Sequence, residues 1–302
     1  MRFLKELALK IPQIKKLKDE RDSLLQGYTH VPPGHFYSPI PSLDDIRSRE
    51  DKIWGSIPEN LPGIDLNTEK QLNYFREFVT FYKEMPFTPQ KNPSLRYFFN
   101  NPAYSYSDAI CLYSMIRKAK PKKIIEVGSG YSSCVMMDTN EIFFQNGIDI
   151  AFIEPYTNLF SLMKEGDRSK YRILPKTLQN VELDFFRELS EDDILFIDST
   201  HVSKVGSDVN AIIFDILPSL SKGVLVHFHD VFYPFEYNKE WIYQGIAWNE
   251  AYILKAFLQY NNAFEIVFFN TYLEYFYREQ FEKWMPLCLM NPGGSIWLRK
   301  TS

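Results

Sequence analysis

Residues able to do chemistry gather in three short runs, each following an apolar stretch. The first is Glu126, Gly128, Ser129, Gly130, Ser132 and Ser133, which places two of the chain's 13 glycines in one turn. Glycines in such a turn let the backbone approach a ligand and adopt conformations that a side chain blocks. Glu154, 28 residues after Glu126, closes a second apolar stretch. A carboxylate there can accept both hydroxyls of an adenosine ribose. A dinucleotide fingerprint needs a third glycine at position 133, where this chain has Ser133. The acid inside the strand, Glu126, instead favours a ligand carrying an amino acid, whose ammonium group needs oxygen acceptors. The other two runs are Asp198 with His201, and His227 with His229 and Asp230. Carboxylates and imidazoles of this kind bind divalent cations and move protons.

The surrounding elements decide whether these residues meet. Apolar runs predict strands at Lys123 to Val127, Asp149 to Ile153, Arg172 to Leu174, Ile194 to Ile197, Gly223 to Phe228, Phe264 to Asn270 and Ser295 to Arg299. Helical spacing fits Ser132 to Asn146, Leu159 to Glu165, Val205 to Leu220 and Trp248 to Tyr260, with further helices over 68 to 85 and from Asp108 to Lys118. Such alternation predicts an α/β fold with a mostly parallel sheet covered on both faces. In an open parallel sheet the ligand crevice lies beyond the carboxyl ends of the strands, where all three runs fall. A helical crossover over Val205 to Leu220 makes the strands ending at Asp198 and at His229-Asp230 neighbours. Asp198, His229 and Asp230 then form a divalent-metal site with open positions.

At these positions the chain resembles the class I S-adenosylmethionine-dependent methyltransferases. Phe196-Ile197-Asp198 with His201, then Asp208, then Gly223 with His229-Asp230, resembles the family 24 pattern, with Ser199 where Gly is usual and one glycine where two are common. A related layout occurs in metal-dependent macrolide sugar O-methyltransferases and in cephalosporin hydroxylase relatives. The likeness runs over about residues 100 to 300. It implies a Rossmann-like seven-stranded sheet with an antiparallel last strand, in a methyltransferase domain at 101–302 preceded by a helical and Pro-rich extension at 1–100. It also implies S-adenosyl-L-methionine held by Glu126, Gly128, Gly130, Ser132, Glu154 and Asp198. His201 is then the general base, and the acceptor is a hydroxyl of a small molecule or glycan. The position of His229 is commonly a carboxylate in the relatives, so imidazole there admits manganese, iron or zinc beside magnesium. Two alternatives stay open: a metal-dependent hydroxylase on the same fold, and a non-catalytic adenosine-binding scaffold.

Composition narrows the setting. The chain has 302 residues, with 34 Lys and Arg against 38 Asp and Glu, a net charge of −4 that argues against nucleic acid held by bulk charge. Aromatic residues make up 16% of the chain, ample for a packed core. Cys111, Cys134 and Cys288 are odd in number and far apart, which points away from disulfides and toward a cytoplasmic setting. Neither a signal sequence nor a membrane-spanning run is expected. Leu4, Leu7, Ile11, Ile14 and Leu17 form a helical stripe, expected to be interrupted by Pro12 and able to pair with the body or with a second copy. Gly27 to Pro62 carries six prolines with His30, His35, Phe36, Tyr37 and Trp54, and reads as an ordered wrap or substrate lid. His30 and His35 read as turn residues, His227 as a hydrogen-bonded core histidine, and Asp208 equally as a residue of its helix's first turn or as a chemical group.

Overall fold

The structure is a computed structural model that describes residues 11–26, 30–156 and 158–302. The Leu4 and Leu7 part of the N-terminal stripe, and Gly27 at the start of the Pro-rich segment, lie outside the described residues. Two compact units are formed: Met1–Ser56 with Lys239–Ala247, and Ile57–Asn238 with Trp248–Ser302. This division differs from the expected boundary at residue 100. The reason is aromatic packing: helix Thr68–Tyr82 buries Phe75 against Phe281 and Phe78 against Phe268, at ring separations of 4.7 and 4.9 Å. Residues from Ile57 onward therefore belong with the sheet.

That sheet has seven strands in the order β3-β2-β1-β4-β5-β7-β6. They are β1 Lys123–Val127, β2 Asp149–Ile153, β3 Arg172–Leu174, β4 Ile194–Ile197, β5 Leu225–His229, β6 Phe264–Phe269 and β7 Ser295–Lys300. The first five run parallel, and β7 lies antiparallel between β5 and β6. β4 is wholly buried and β1 buried from its second residue on, which is why their sequences are apolar without alternation. Strand order reverses at β1 and β4, where open sheets of this kind form their ligand crevice. Register completes the alignment. Val127 pairs with Ile197 and Ile197 with Phe228, so Gly128, Asp198 and His229 follow at one level.

Several element limits differ from the sequence reading. Pro12 opens helix Pro12–Gln26, where proline at the first helical position forfeits no hydrogen bond. Ile11, Ile14 and Leu17 of that stripe are exposed. Leu159 to Glu165 yields only a 3-10 turn, Asn158–Ser161. The crossover helix starts at Asp208, where Ser207 caps it, and passes through a π-helical stretch at Ile212–Ile216. β5 begins two residues later than expected and takes in His229. His227 is a core residue, stacked 3.9 Å from Phe196 and beside Trp297, but neither ring nitrogen has a hydrogen-bond partner among the described residues.

The smaller unit holds helices Leu43–Ser48, Glu50–Trp54 and Lys239–Tyr243, joined where Glu50 accepts from Lys239 at 2.6 Å and from the Tyr243 hydroxyl. An apolar cavity of about 420 Å³ lies among Pro33, Ile40, Leu43, Ile242 and Ile246, while Phe36 and Tyr37 face solvent. Among the described residues no helix is long and apolar enough to cross a membrane.

In the larger unit a buried cation ties the chain before helix Tyr106–Ala119 to helix Tyr131–Phe144, which starts at the glycine turn. The Arg96 guanidinium donates to Asp138 at 2.7 Å, to both oxygens of Asp167 at 2.7 and 2.6 Å, and to Glu141 at 2.8 Å. Asp138 also accepts the backbone N–H groups of Arg96 and Tyr97, each at 2.8 Å. Removing the cation strands buried carboxylates. Arg96→Ala should therefore lower unfolding free energy by about 3–5 kcal/mol, read from the urea midpoint, with Arg96→Lys restoring only part.

Candidate active site

The turn after β1 packs directly on the end of β4. Gly128 has φ +78°, donates its N–H to Ile153 at 3.0 Å, and leaves no room for a side chain: an added Cβ would lie 1.8 Å from the Asp198 carbonyl oxygen. Asp198 in turn donates its N–H to Val127 at 2.9 Å. Gly130 is different, since an added Cβ there meets nothing within 4 Å and the backbone borders open space. Glu126 points into the interior. It accepts from Ser132 Oγ at 2.6 Å and from the Ser133 hydroxyl, and Ser133 Oγ accepts the Gly130 N–H at 3.0 Å. Glu126 and Ser132 thus bind each other beneath the turn. Burial raises the Glu126 carboxyl to about 8, against the pull of the two serine hydroxyls.

Glu154, at the end of β2, accepts the Ser129 N–H at 2.9 Å and the Tyr156 N–H at 2.8 Å. It borders a crevice of about 260 Å³ with Gly128, Tyr156, Leu178, Asp198 and Asp208. Thr177 and Gln179, also in the wall, were not singled out in the sequence, because no pattern marks the loop after the short strand β3. Asp208 holds the loop after β4 by accepting from Thr200 N at 3.0 Å and Thr200 Oγ1 at 2.6 Å, a larger part than a helix-start residue alone would play.

Asp198, in the crevice wall, also belongs to a cluster of charge. His201 Nε2 lies 3.4 Å from Asp198 Oδ1 and 3.7 Å from Asp230 Oδ2, and these three residues present ligand atoms within 4.8 Å of one another. The imidazole in this grouping is that of His201, where the sequence reading put His229. His229 Nε2 is 3.7 Å from Asp230 Oδ1, its ring lies 5.0 Å from Tyr104, and its Nδ1 has no hydrogen-bond partner among the described residues. His201 and Asp230 both sit in the left-handed region, at φ +59° and +56°, which costs about 1–3 kcal/mol per residue and marks backbone held by its surroundings.

Sequence reasoning missed Glu250. It opens helix Glu250–Leu258, is almost wholly buried, and its Oε2 lies 2.8 Å from His201 Nδ1. Their separation of 49 positions hides the pairing from any local pattern. Burial works against a charged His201, but Asp198 and Glu250 outweigh it and raise its pKa to about 10. Asp198 is lowered: burial pushes it up, and His229 and His201 more than reverse that. Burial leaves Asp230 and Glu250 raised in spite of the imidazoles.

Two outcomes follow for the turn. Gly128→Ala should cost more than about 2 kcal/mol in denaturant unfolding, whereas Gly130→Ala should stay within about 0.5 kcal/mol of wild type. A carboxyl that binds its proton more tightly when folded stabilises below its unfolded value of 4.5, and that contribution is lost as pH rises toward about 8. Glu126→Gln removes this loss, so its Tm relative to wild type should climb between about pH 5 and about pH 9.

Residues 125–231 match the methyltransferase domain of family 24. An uncharacterized protein of Archaeoglobus fulgidus is 38% identical over 167 residues, covering 54% of this chain and 75% of the relative. Among solved structures, a methyltransferase of Podospora anserina bound to S-adenosylhomocysteine is similar at 14% identity, over 91% of this chain and 100% of that one, with a TM-score of 0.42. An O-methyltransferase from Bacillus cereus in complex with S-adenosylhomocysteine is similar at 13% identity, over 85% and 97% of the two chains, with a TM-score of 0.37. By the family match, the shared identity with the archaeal relative and its own strand order, the chain belongs to the class I S-adenosylmethionine-dependent methyltransferases of family 24.

Proposed function

We propose that this protein transfers the methyl group of S-adenosylmethionine to a hydroxyl of a small molecule or glycan. The observation that carries the reading is continuity: one crevice runs from Gly128 and Glu154 to Asp198, and Asp198 also faces His201. Each Glu154 oxygen accepts one backbone N–H and keeps a lone pair for a ribose hydroxyl. The open space at Gly130 lets the ligand pass close to the backbone. Glu126 and Ser132 act at one remove, setting the shape of the turn.

S-adenosylmethionine supplies a methyl carbon bonded to a positively charged sulfur. On bound cofactor the acceptor oxygen would form the O–C bond as the C–S bond breaks, and His201 Nε2 in its unprotonated form would take the hydroxyl proton, a form that becomes more populated as pH rises toward about 10. Holding oxygen, methyl and sulfur in line supplies much of the rate. Asp198 and Asp230 offer the carboxylate oxygens a divalent ion such as Mg²⁺ or Mn²⁺ requires, with His229 alongside. A bound ion would polarise the acceptor hydroxyl as a Lewis acid. A second reading, favoured by the close grouping of Asp198, His201 and Asp230, makes His201 the ligand and removes it as base.

Calorimetric titration tests both parts. S-adenosylhomocysteine should bind with micromolar Kd, about −8 kcal/mol, and NAD should not; absence of binding by the former overturns the proposal. Gly130→Ala should weaken that binding by about tenfold without unfolding the protein. For Mn²⁺, His229→Ala should cost about tenfold or more in affinity and His201→Ala much less. The reverse order identifies His201 as the ligand.

A further inference from the structure

We propose that Glu250 is the positioning residue for His201, holding its Nδ1–H so that Nε2 faces the crevice between Asp198 and Asp230. The inference rests on the reading of His201 as the group that acts on the acceptor hydroxyl. Glu250 and His201 are 1% and 5% exposed, and their 2.8 Å contact is shielded from water, which makes such a charge-assisted bond strong. A carboxylate on one ring nitrogen determines which nitrogen is left for chemistry and which way the ring faces.

The neighbours of Glu250 fix the same loop. The N–H groups of Asn249 and Glu250 both donate to the His201 carbonyl at 3.1 Å. Asn249 Oδ1 accepts the Ser203 N–H at 2.6 Å, and the Trp248 ring lies over the imidazole at 4.3 Å. Four successive contacts from one helix start therefore hold a residue whose left-handed backbone would otherwise relax. The helix N-terminus in turn favours a carboxylate at its first position. Nothing else among the described residues is seen to accept from His201 Nδ1.

Imidazole-selective 1H–15N NMR on the full chain tests the pairing, since the protein has only 5 histidines and His201→Gln assigns the resonance. In wild type the His201 Nδ1 proton should be shifted downfield and slow to exchange. It should persist in Glu250→Asp, and in Glu250→Ala it should exchange at least about tenfold faster. S-adenosylhomocysteine affinity should stay within about twofold in both variants, which reports that they fold. A His201 Nδ1 proton unchanged in Glu250→Ala overturns the proposal, as does its absence from wild type. Failure of wild type to bind S-adenosylhomocysteine overturns the methyltransferase reading instead, and the NMR comparison still decides the Glu250 pairing.

Discussion

Everything at the site depends on how closely β1 and β4 approach at their carboxyl ends. Gly128 lies against the Asp198 carbonyl at a distance no side chain permits, and the bond from Asp198 N to Val127 locks the two strand ends together. Parallel pairing of β4 with β5 then carries the alignment one strand further, to His229 and Asp230. Parallel neighbours share their direction, so side chains that follow them emerge on the same edge. A crevice opening beside Glu154 and a charge cluster at Asp198 are consequences of one packing contact.

Charge in this cluster is shared between carboxylates and imidazoles. Asp198, Asp230, Glu250 and Asp108 surround His201 and His229, and each group is held away from its ordinary titration by the others and by burial. Buried carboxylates are costly unless paired. Where the structure needs them only for stability, as with Asp138 and Asp167, Arg96 pairs them directly. Asp198 and Asp230 instead face imidazoles across 3.4 to 3.7 Å, looser than the 2.8 Å contact between Glu250 and His201. Such spacing suits groups that share a ligand or a proton.

Backbone geometry completes the arrangement. His201 and Asp230 both adopt left-handed conformations that their side chains disfavour, and both are held by bonds from distant segments, Asn249 and Glu250 for His201 and Gly294 for the residue after Asp230. Strain of this kind persists only where surrounding structure over-determines it. The loops after β4 and β5 are therefore positioned by helix and strand elements far along the chain.

The strands were legible because each is an apolar run bounded by polar or glycine residues, and the first four coincide in their limits with the expected ones. Glu154 and Asp198 were legible as acids directly after such runs, and both border the crevice. What sequence left undecided was direction and distance. Glu126 and Ser132 carry residue types suited to ligand contact, yet their side chains turn inward to each other, because the alternation of strand residues put Glu126 on a covered face. Which imidazole joins Asp198 and Asp230 depends on a left-handed residue and on a carboxylate 49 positions away. Periodicity and local motifs report which side of an element is buried and where it ends. Only the packed chain decides which of the groups so exposed come within a few ångströms, because those contacts are fixed by segments remote in sequence.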